Sequence, residues 1–539
     1  FFFRPLIAVA LRLRAFLWSM LQMLRCLWLM LDALWDLFCQ WLTWAFVTKE
    51  VHWDRVYEQH GLFVDDDSLV VEVGANTGIF AGYVNRVARG CTMYCFEPAP
   101  RPLEQLRRQL ERLNATQTGN RFVVQPVALA DKPSDGLPFL SFRISGWGGL
   151  QDFYDNDLIP GTLGTWASWA LGYNAPDVVS VPCDTLDSFA QAQLPDRGID
   201  FLKIDCEGGE EAALQGAEFL LSQGAIKQVA AEVQGKDRCD RMEALLRGHG
   251  FKQVEVEQTR MLGKTEYYML YARLHAPSVS VVIPTLDEEG SIQDTLTVAA
   301  ICKPRPLEII VADGGSTDAT EQVVAETAQA LAAFPDPPAI RFVRCPESGR
   351  GAQMNHGAQQ AAGDYLVFLH ADTRLPKDAV AIVRRVLADS AVALAGFRTI
   401  FSGQDSSYWP IAFHHRIKTH YPFMILRPYR WLFHHLRLLF GDQAMFVRRR
   451  EFWRIGGYSH EPAEDISLCD RITHLGKIRE VDRYVETSAR RFDHYGTTRV
   501  TLIHVAMVLA YLVGQFDRMR RMYPPQSVLD RRRSRAKDI

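Results

Sequence analysis

Two stretches of this chain alternate short, solidly apolar runs with longer runs in which apolar residues recur every three or four positions. The first stretch, 49–274, carries LVVEVG, TMYCFEP, RFVVQPVAL, FLKIDC and QVAAEV; the second, 279–498, carries VSVVIP, LEIIVAD, IRFVRC and YLVFLHAD. Unbroken apolar runs of this length suit strands of a parallel sheet buried on both faces. Between them, RPLEQLRRQLERL is apolar at Leu103, Leu106, Leu110 and Leu113, the spacing of a helix with one buried side. The pattern therefore predicts an α/β protein with two sheet-based domains, joined by the few residues from His275 to Ser278. YYMLYARL closes the first domain, and the Trp-, Gly- and Asn-rich region 141–176 reads as an insertion or lid.

The ends follow another pattern. Residues 1–48 are mostly apolar and contain five of the twelve tryptophans, but Arg12, Arg14, Arg25, Asp32 and Asp36 interrupt them. No uncharged run reaches the ~18–20 residues that a spanning helix needs. On a helical wheel Arg14, Arg25, Asp32 and Asp36 fall within about 40° of one another, a narrow polar stripe on an apolar helix. Such a helix can lie in a membrane interface, pack on protein or act as an Arg-rich targeting segment; interfacial docking is the leading expectation. A start at Phe1 without Met reads as a fragment or a processed form. Residues 499–539 predict a second apolar helix followed by a basic tail. A formal net charge of −3 gives no reason to expect nucleic acid as partner. The ten cysteines form no CxxC pair, so they read as reduced, mostly buried thiols in a cytosol-like compartment.

Each domain then shows strand ends rich in glycine and acids. In the first, Gly74-Ala75-Asn76-Thr77-Gly78 follows a strand and precedes a helix, and Glu97 ends the next strand. A turn of this kind brings backbone close to a nucleoside, and the acid can accept from both ribose hydroxyls. A purely structural glycine turn would also produce GxxxG; with Glu97 it suits S-adenosylmethionine as well as NAD, and the absence of GxGxxG lowers the NAD reading. FLKIDCEGGE, 201–210, crowds Lys203, Asp205, Glu207 and Glu210 at another strand end, where ligands bind in open α/β sheets.

GANTG, CFEP, CDTLDSF and KIDCEGGE stand in the order of the FkbM family, which this region resembles. The resemblance implies a Rossmann-like methyltransferase that uses S-adenosylmethionine for O-methylation. It also implies that Glu72, Gly74, Asn76, Gly78 and Glu97 line the cofactor site. Lys203, Asp205, Glu207 and Glu210 would lie near the transfer point, with Asp205 or Glu210 as base and Glu232 a weaker candidate; a structural Lys203–acid pair is the alternative.

In the second domain PTLDEE, 284–289, follows a β-branched strand, Asp313 ends the next before GGSTD, SGRG at 348–351 opens a helix, and Asp372 follows YLVFLHA. Two neighbouring acid-bearing loops can hold a base edge and a ribose. Arg350 at a helix start suits phosphate oxygens, and Asp372 suits a divalent cation bridging a diphosphate. PTLDEE, ADGGSTD, HADT and AED resemble a family 2 glycosyltransferase of the GT-A fold. GRGAQMNHGA, FLHADTRLP, GDQAMFVRR and TSARRF resemble more narrowly the radical-SAM/selenodomain-associated transferase 2 subgroup. The resemblance implies a nucleotide-sugar donor held by Pro284, Asp287, Glu288, Asp313 and Arg350, with Mg or Mn at Asp372. Asp465 is implied as the base that deprotonates a hydroxyl acceptor; alone, it would read as an acid at a helix start. Gly441-Asp442-Gln443 would sit near the acceptor, and Arg490 and Arg491 would clamp diphosphate or form structural salt bridges. His370 stands where the metal motif usually has its first acid. His414, His415, His434 and His435 read as surface or packing residues.

The combined expectation is a bifunctional, membrane-associated transferase: a Rossmann-like domain, then a GT-A domain, with apolar helices at both termini. It would glycosylate and O-methylate a glycan, glycolipid or glycosylated metabolite, with a lipid-linked acceptor in view. The alternatives are an active glycosyltransferase with a non-catalytic methyltransferase-like module, and a membrane-associated scaffold.

Overall fold

A computed structural model describes residues 47–141, 149–150, 177–194, 197–262, 265–347, 349–402, 428–433, 436–459 and 464–490, with isolated positions elsewhere. The expected terminal helices, nearly all of the 141–176 insertion, Arg491 and the four histidines at 414–415 and 434–435 lie outside the described residues. Among the described residues no helix is long and apolar enough to cross a membrane. The fold divides near His275 into two compact units.

The first unit is built on β1 (Leu69–Val73), followed by helix α1 (Ile79–Val87), β2 (Thr92–Phe96), helix α2 (Pro100–Asn114), β3 (Arg121–Gln125), β4 (Phe201–Ile204), helix α3 (Glu210–Gln215), β5 (Gln228–Gln234), β6 (Gln253–Leu262) and β7 (Thr265–Arg273). Their sheet order is β6-β7-β5-β4-β1-β2-β3. Strands β3-β2-β1-β4-β5 are parallel, and β7 runs antiparallel to both β5 and β6. All five residues of β1 are buried, as a central strand covered on both faces requires. Helix α2 buries Leu106 and Leu110 on the side that its spacing predicts.

One strand differs from expectation. RFVVQPVAL is not continuous: β3 stops at Gln125, and Ala128–Leu129 joins a separate four-stranded sheet with Ser134–Ser141, Gly149–Leu150 and Asp177–Asp184. Pro126 lies at the break, where its missing N–H cannot serve a sheet ladder. CDTLDSF likewise splits, because Thr185 caps a helix over Leu186–Gln193 by accepting from the Ser188 N–H at 3.0 Å.

The second unit contains β8 (Val279–Thr285), β9 (Glu308–Asp313), β10 (Ala339–Arg344), helix α4 (Arg350–Gln360), β11 (Tyr365–Phe368), β12 (Thr373–Arg374), β13 (Val392–Ser402), β14 (Phe446–Arg448), helix α5 (Glu464–Ile472) and β15 (Lys477–Ser488). The order is β10-β9-β8-β11-β14-β13-β15-β12. Strands β10-β9-β8-β11 are parallel, while β14 runs antiparallel to β11 and β13. In both units the first strand has neighbours on both sides that are reached by opposite turns of the chain. Such a switch point opens a crevice at the strand C-termini, where the predicted residues stand.

Candidate functional sites at the two switch points

In the first unit the loop after β1 is fixed before any ligand is considered. Gly74 and Ala75 donate their N–H groups to the Phe96 carbonyl at 3.0 and 2.9 Å. Gly74 has φ +79°, and a Cβ there would lie 1.8 Å from the Asp205 carbonyl oxygen. Only glycine allows this approach of the loops after β1 and β4. Glu97 closes the turn: its Oε2 accepts from the Asn76 N–H at 2.8 Å and its Oε1 from the Ala99 N–H at 2.9 Å. Asn76 itself is left-handed, at φ +48°, and Gly78, at φ +84°, precedes α1.

A buried ionic cluster lies beside this turn. Lys203 Nζ lies 3.2 Å from Glu72 Oε1 and 3.4 Å from Asp205 Oδ2, and donates to the Gly74 carbonyl at 3.2 Å. The structural pairing of Lys203 is therefore real, and it ties together three residues predicted for the site. Tyr57 donates to Asp205 Oδ2 at 2.6 Å, and the Lys203 ammonium stands over its ring. Sequence reading missed Tyr57. It sits in a short turn, Val56–Glu58, held by Glu58, which accepts from the Tyr83 hydroxyl at 2.5 Å, Arg55 at 2.8 Å and the Val64 N–H at 2.8 Å. Such a turn has no periodicity to betray it.

Burial pushes Glu72, Glu97 and Glu210 each up to about 7, against the pull of Lys203 on Glu72 and of backbone N–H groups on the others. Burial also opposes the Lys203 charge, but Asp205 and Glu72 outweigh it and hold the ammonium above its ordinary value. Glu210, at the start of α3, accepts from the Gly208 N–H at 2.8 Å through Oε1. Its Oε2, Asn76 Oδ1 and Gln234 Oε1 are buried without a hydrogen-bond partner, and Glu72 has the Cys95 thiol beside it. Glu207, left-handed at φ +52°, accepts from Gln234. The half-buried Glu232 lies on β5, whose end also carries Gln234. Unpartnered acceptors and ionisable acids around a close-approach turn fit S-adenosylmethionine, which brings amino and hydroxyl donors and a positive charge.

In the second unit the acids divide into two groups. One group shapes loops. Asp313 is buried; its Oδ2 accepts from the Gly315 and Ser316 N–H groups at 2.9 and 3.0 Å, and its Oδ1 accepts from the Ser316 hydroxyl. Asp287, at φ +55°, accepts from the Thr317 N–H at 2.7 Å, tying the PTLDEE loop to the GGSTD loop. Pro284 is buried within β8, paired with Ala312, so it helps form the strand end rather than presenting a surface. A base edge or ribose would meet loops that these residues shape.

The other group meets two arginines. Arg490 reaches Glu288 at 2.9 Å and Asp372 at 3.0 Å, which brings together the ends of β8, β11 and β15. Burial and the nearby Asp372 raise Glu288 against the pull of Arg490. Arg350 reaches Glu464 at 2.5 Å and Asp465 at 3.2 Å, and its Nη1 stands 3.4 Å from His370 Nε2. Asp465 Oδ2 also accepts from the Gly441 N–H at 2.9 Å, while its Oδ1 is buried without a partner. Burial raises Asp465 to about 6, opposed by Arg350 and aided by Glu464. For Glu464 burial is outweighed by Arg350, which holds it below its usual range. His370 fits against Gly441, where a Cβ would lie 2.3 Å from Nε2. The site thus joins Asp465, Arg350, His370 and Gly441, while Asp372, Glu288 and Arg490 form a second cluster.

Among the described residues no group of three or more His, Cys, Asp or Glu side chains is arranged to hold a metal ion. Asp372 offers one partly exposed carboxylate. That donor set fits a Mg or Mn ion shared with a diphosphate, since such ions bind through one or two carboxylates plus phosphates. It does not fit a resident ion caged by protein alone.

A parallel sheet with a nucleoside-type turn, then one with a diphosphate-type arginine and acid set, defines a chain of two transferase-type domains. By sequence comparison residues 72–252 match the methyltransferase FkbM domain and residues 280–456 match glycosyl transferase family 2. The chain belongs to the FkbM methyltransferases through its first unit and to the family 2 glycosyltransferases through its second. It is similar to the 31-O-demethyl-FK506 methyltransferase FkbM of Streptomyces tacrolimicus, 31% identical over 42% of this chain and 89% of that one. It is similar to the PGL/p-HBAD biosynthesis glycosyltransferase of Mycobacterium bovis, 30% identical over 42% of this chain and 81% of that one. A shorter match, 32% identical over 19% of this chain and 30% of the other, joins it to the undecaprenyl-phosphate 4-deoxy-4-formamido-L-arabinose transferase of Pseudomonas fluorescens.

Proposed function

We propose that this chain catalyses two transfers, inverting glycosyl transfer from a nucleotide-sugar and O-methylation from S-adenosylmethionine, on a glycan, glycolipid or glycosylated metabolite. The observation that carries the reading is the buried, unpartnered Oδ1 of Asp465 beside Arg350. A carboxylate so placed is a base with one oxygen held and the other available.

Asp465 takes the acceptor hydroxyl proton through Oδ1 while Oδ2 stays on the Gly441 N–H. The acceptor oxygen bonds to the anomeric carbon from the face opposite the nucleoside diphosphate, whose bond to that carbon breaks. Arg350 and Arg490 supply positive charge to the departing diphosphate. A divalent cation bound at Asp372 would neutralise part of the same charge.

In the first unit Gly74, Asn76, Gly78 and Glu97 hold the nucleoside part of S-adenosylmethionine, which when bound supplies an activated methyl on a sulfonium. Asp205, fixed by Tyr57 and Lys203, accepts the proton of the attacking hydroxyl; Glu210 is the second candidate for that task. The polar stripe in the sequence of residues 1–48 supports docking on a membrane surface, and cysteines without a CxxC pair support a reducing compartment. The likeness to an undecaprenyl-phosphate transferase supports a lipid-linked acceptor.

Calorimetric titration of the intact chain tests this. S-adenosylmethionine should bind and be lost in Glu97→Ala; a UDP- or GDP-sugar with manganese should bind and be lost in Asp372→Ala. Binding of the sugar nucleotide alone would reduce the first unit to a non-catalytic module.

A further inference from the structure

We propose that Glu464 is a positioning residue for glycosyl transfer: it seats Arg350 against the base Asp465, and a nucleoside diphosphate draws the guanidinium away. The inference rests on the reading of Asp465 as base and of Arg350 as facing the diphosphate.

Among the described residues one cation meets at least three neighbours. Nε of Arg350 lies 2.5 Å from Glu464 and Nη2 lies 3.2 Å from Asp465, while Nη1 points to His370, 3.4 Å away at the end of β11. The acids are nearly enclosed, with side chains 13% and 7% exposed, whereas the arginine side chain is 39% exposed. Both acids belong to the first turn of α5 and are nearly enclosed, whereas the more exposed guanidinium has room to turn toward a ligand. Its Glu464 contact is the shorter, so Glu464 sets its resting place.

The consequence concerns the base. While Arg350 is paired with Oδ2, Asp465 is a weaker proton acceptor, because the guanidinium favours the ionised form. A diphosphate offers Arg350 more negative charge than a single carboxylate, and bidentate Arg–phosphate pairing is strong. Donor binding therefore withdraws the cation from Asp465 and makes it more basic when the anomeric carbon is in place. Part of the donor's binding energy goes into breaking the Arg350–Glu464 pair.

Calorimetry of the full chain with UDP and with GDP, at fixed excess manganese, tests this without an acceptor. Glu464→Gln should tighten nucleotide binding on the order of threefold to tenfold, since Arg350 need no longer be pulled from an ionised partner. Asp465→Asn should tighten it less, in keeping with its longer contact, and serves as the second variant if Glu464→Gln does not fold. Arg350→Ala should weaken binding, and in that background Glu464→Gln should change nothing. Unchanged or weaker binding in both acid variants would overturn the proposal. So would a gain that persists without Arg350, since simple charge repulsion would then explain it. If the unaltered chain binds neither nucleotide, the glycosyl-transfer reading itself fails, and this inference with it.

Discussion

The two switch points use opposite electrostatics on similar scaffolds. At the first, three glutamates are buried and pushed up to about 7, one of them, Glu72, is paired with the buried Lys203, and several acceptor atoms have no donor. At the second, two partly exposed arginines each bridge a pair of acids. The first arrangement suits a ligand that brings positive charge and hydrogen-bond donors; the second suits one that brings phosphate. Parallel sheets supply the crevice in both cases, and charge placement at the strand ends selects the ligand.

The sharpest way to break that comparison is at Asp465. Asp465→Asn should lower glycosyl transfer about 10²- to 10⁴-fold, the usual share of a general base, with nucleotide binding retained. At low donor concentration transfer by the unaltered chain should fall as pH drops below about 6, where burial has placed this carboxyl, because only the ionised form accepts a proton, and with donor saturating the fall should begin at higher pH. A pH–rate profile flat from 5 to 8 would remove Asp465 from the role.

At the first site, Lys203→Met should destabilise the chain by about 3 kcal/mol in urea unfolding, because it leaves the buried Glu72 without its cation. An equally large loss at Arg490 would erase the contrast, since the Arg490 side chain is 49% exposed and such pairs contribute little. A subtler effect concerns Glu210. Its folded value, about 7, lies above its ordinary 4.5, so the folded state holds the proton more tightly. Its contribution to stability is fully present below about pH 4.5 and is lost as pH rises through about 7. Glu210→Gln should therefore flatten the fall in stability between those values, measured by urea melts at a series of pH values. The smallest effect is expected for Tyr57→Phe. Losing one hydrogen bond to Asp205 should cost about 1 kcal/mol of stability in urea unfolding, with S-adenosylmethionine binding unchanged.

Much of both sites was legible because strand–loop–helix motifs are local. GANTG, Glu97, KIDCEGGE, PTLDEE and HAD could be placed at strand ends from apolar runs alone, and the sheets put them there. What the sequence did not show is pairing over long separations. Tyr57 meets Asp205 across 148 residues, and Arg350 meets Glu464 across 114, contacts that no local period encodes. Nor did residue type reveal function at Asp313. An acid ending a strand before GGS reads as a ligand contact, but residue type does not show that its Oδ2 also accepts from the Gly315 and Ser316 N–H groups and its Oδ1 from the Ser316 hydroxyl, contacts that form the turn. The strand break at Pro126 was foreseeable from the proline's missing donor, but the apolar run on either side concealed it.

The close approach of Gly74 to the Asp205 carbonyl has a consequence for kinetics. Because hydrogen bonds to Phe96 and Glu97 hold the turn, a nucleoside binding there would meet a backbone already shaped by the protein itself. The turn itself should then add no slow conformational phase to association at the first unit.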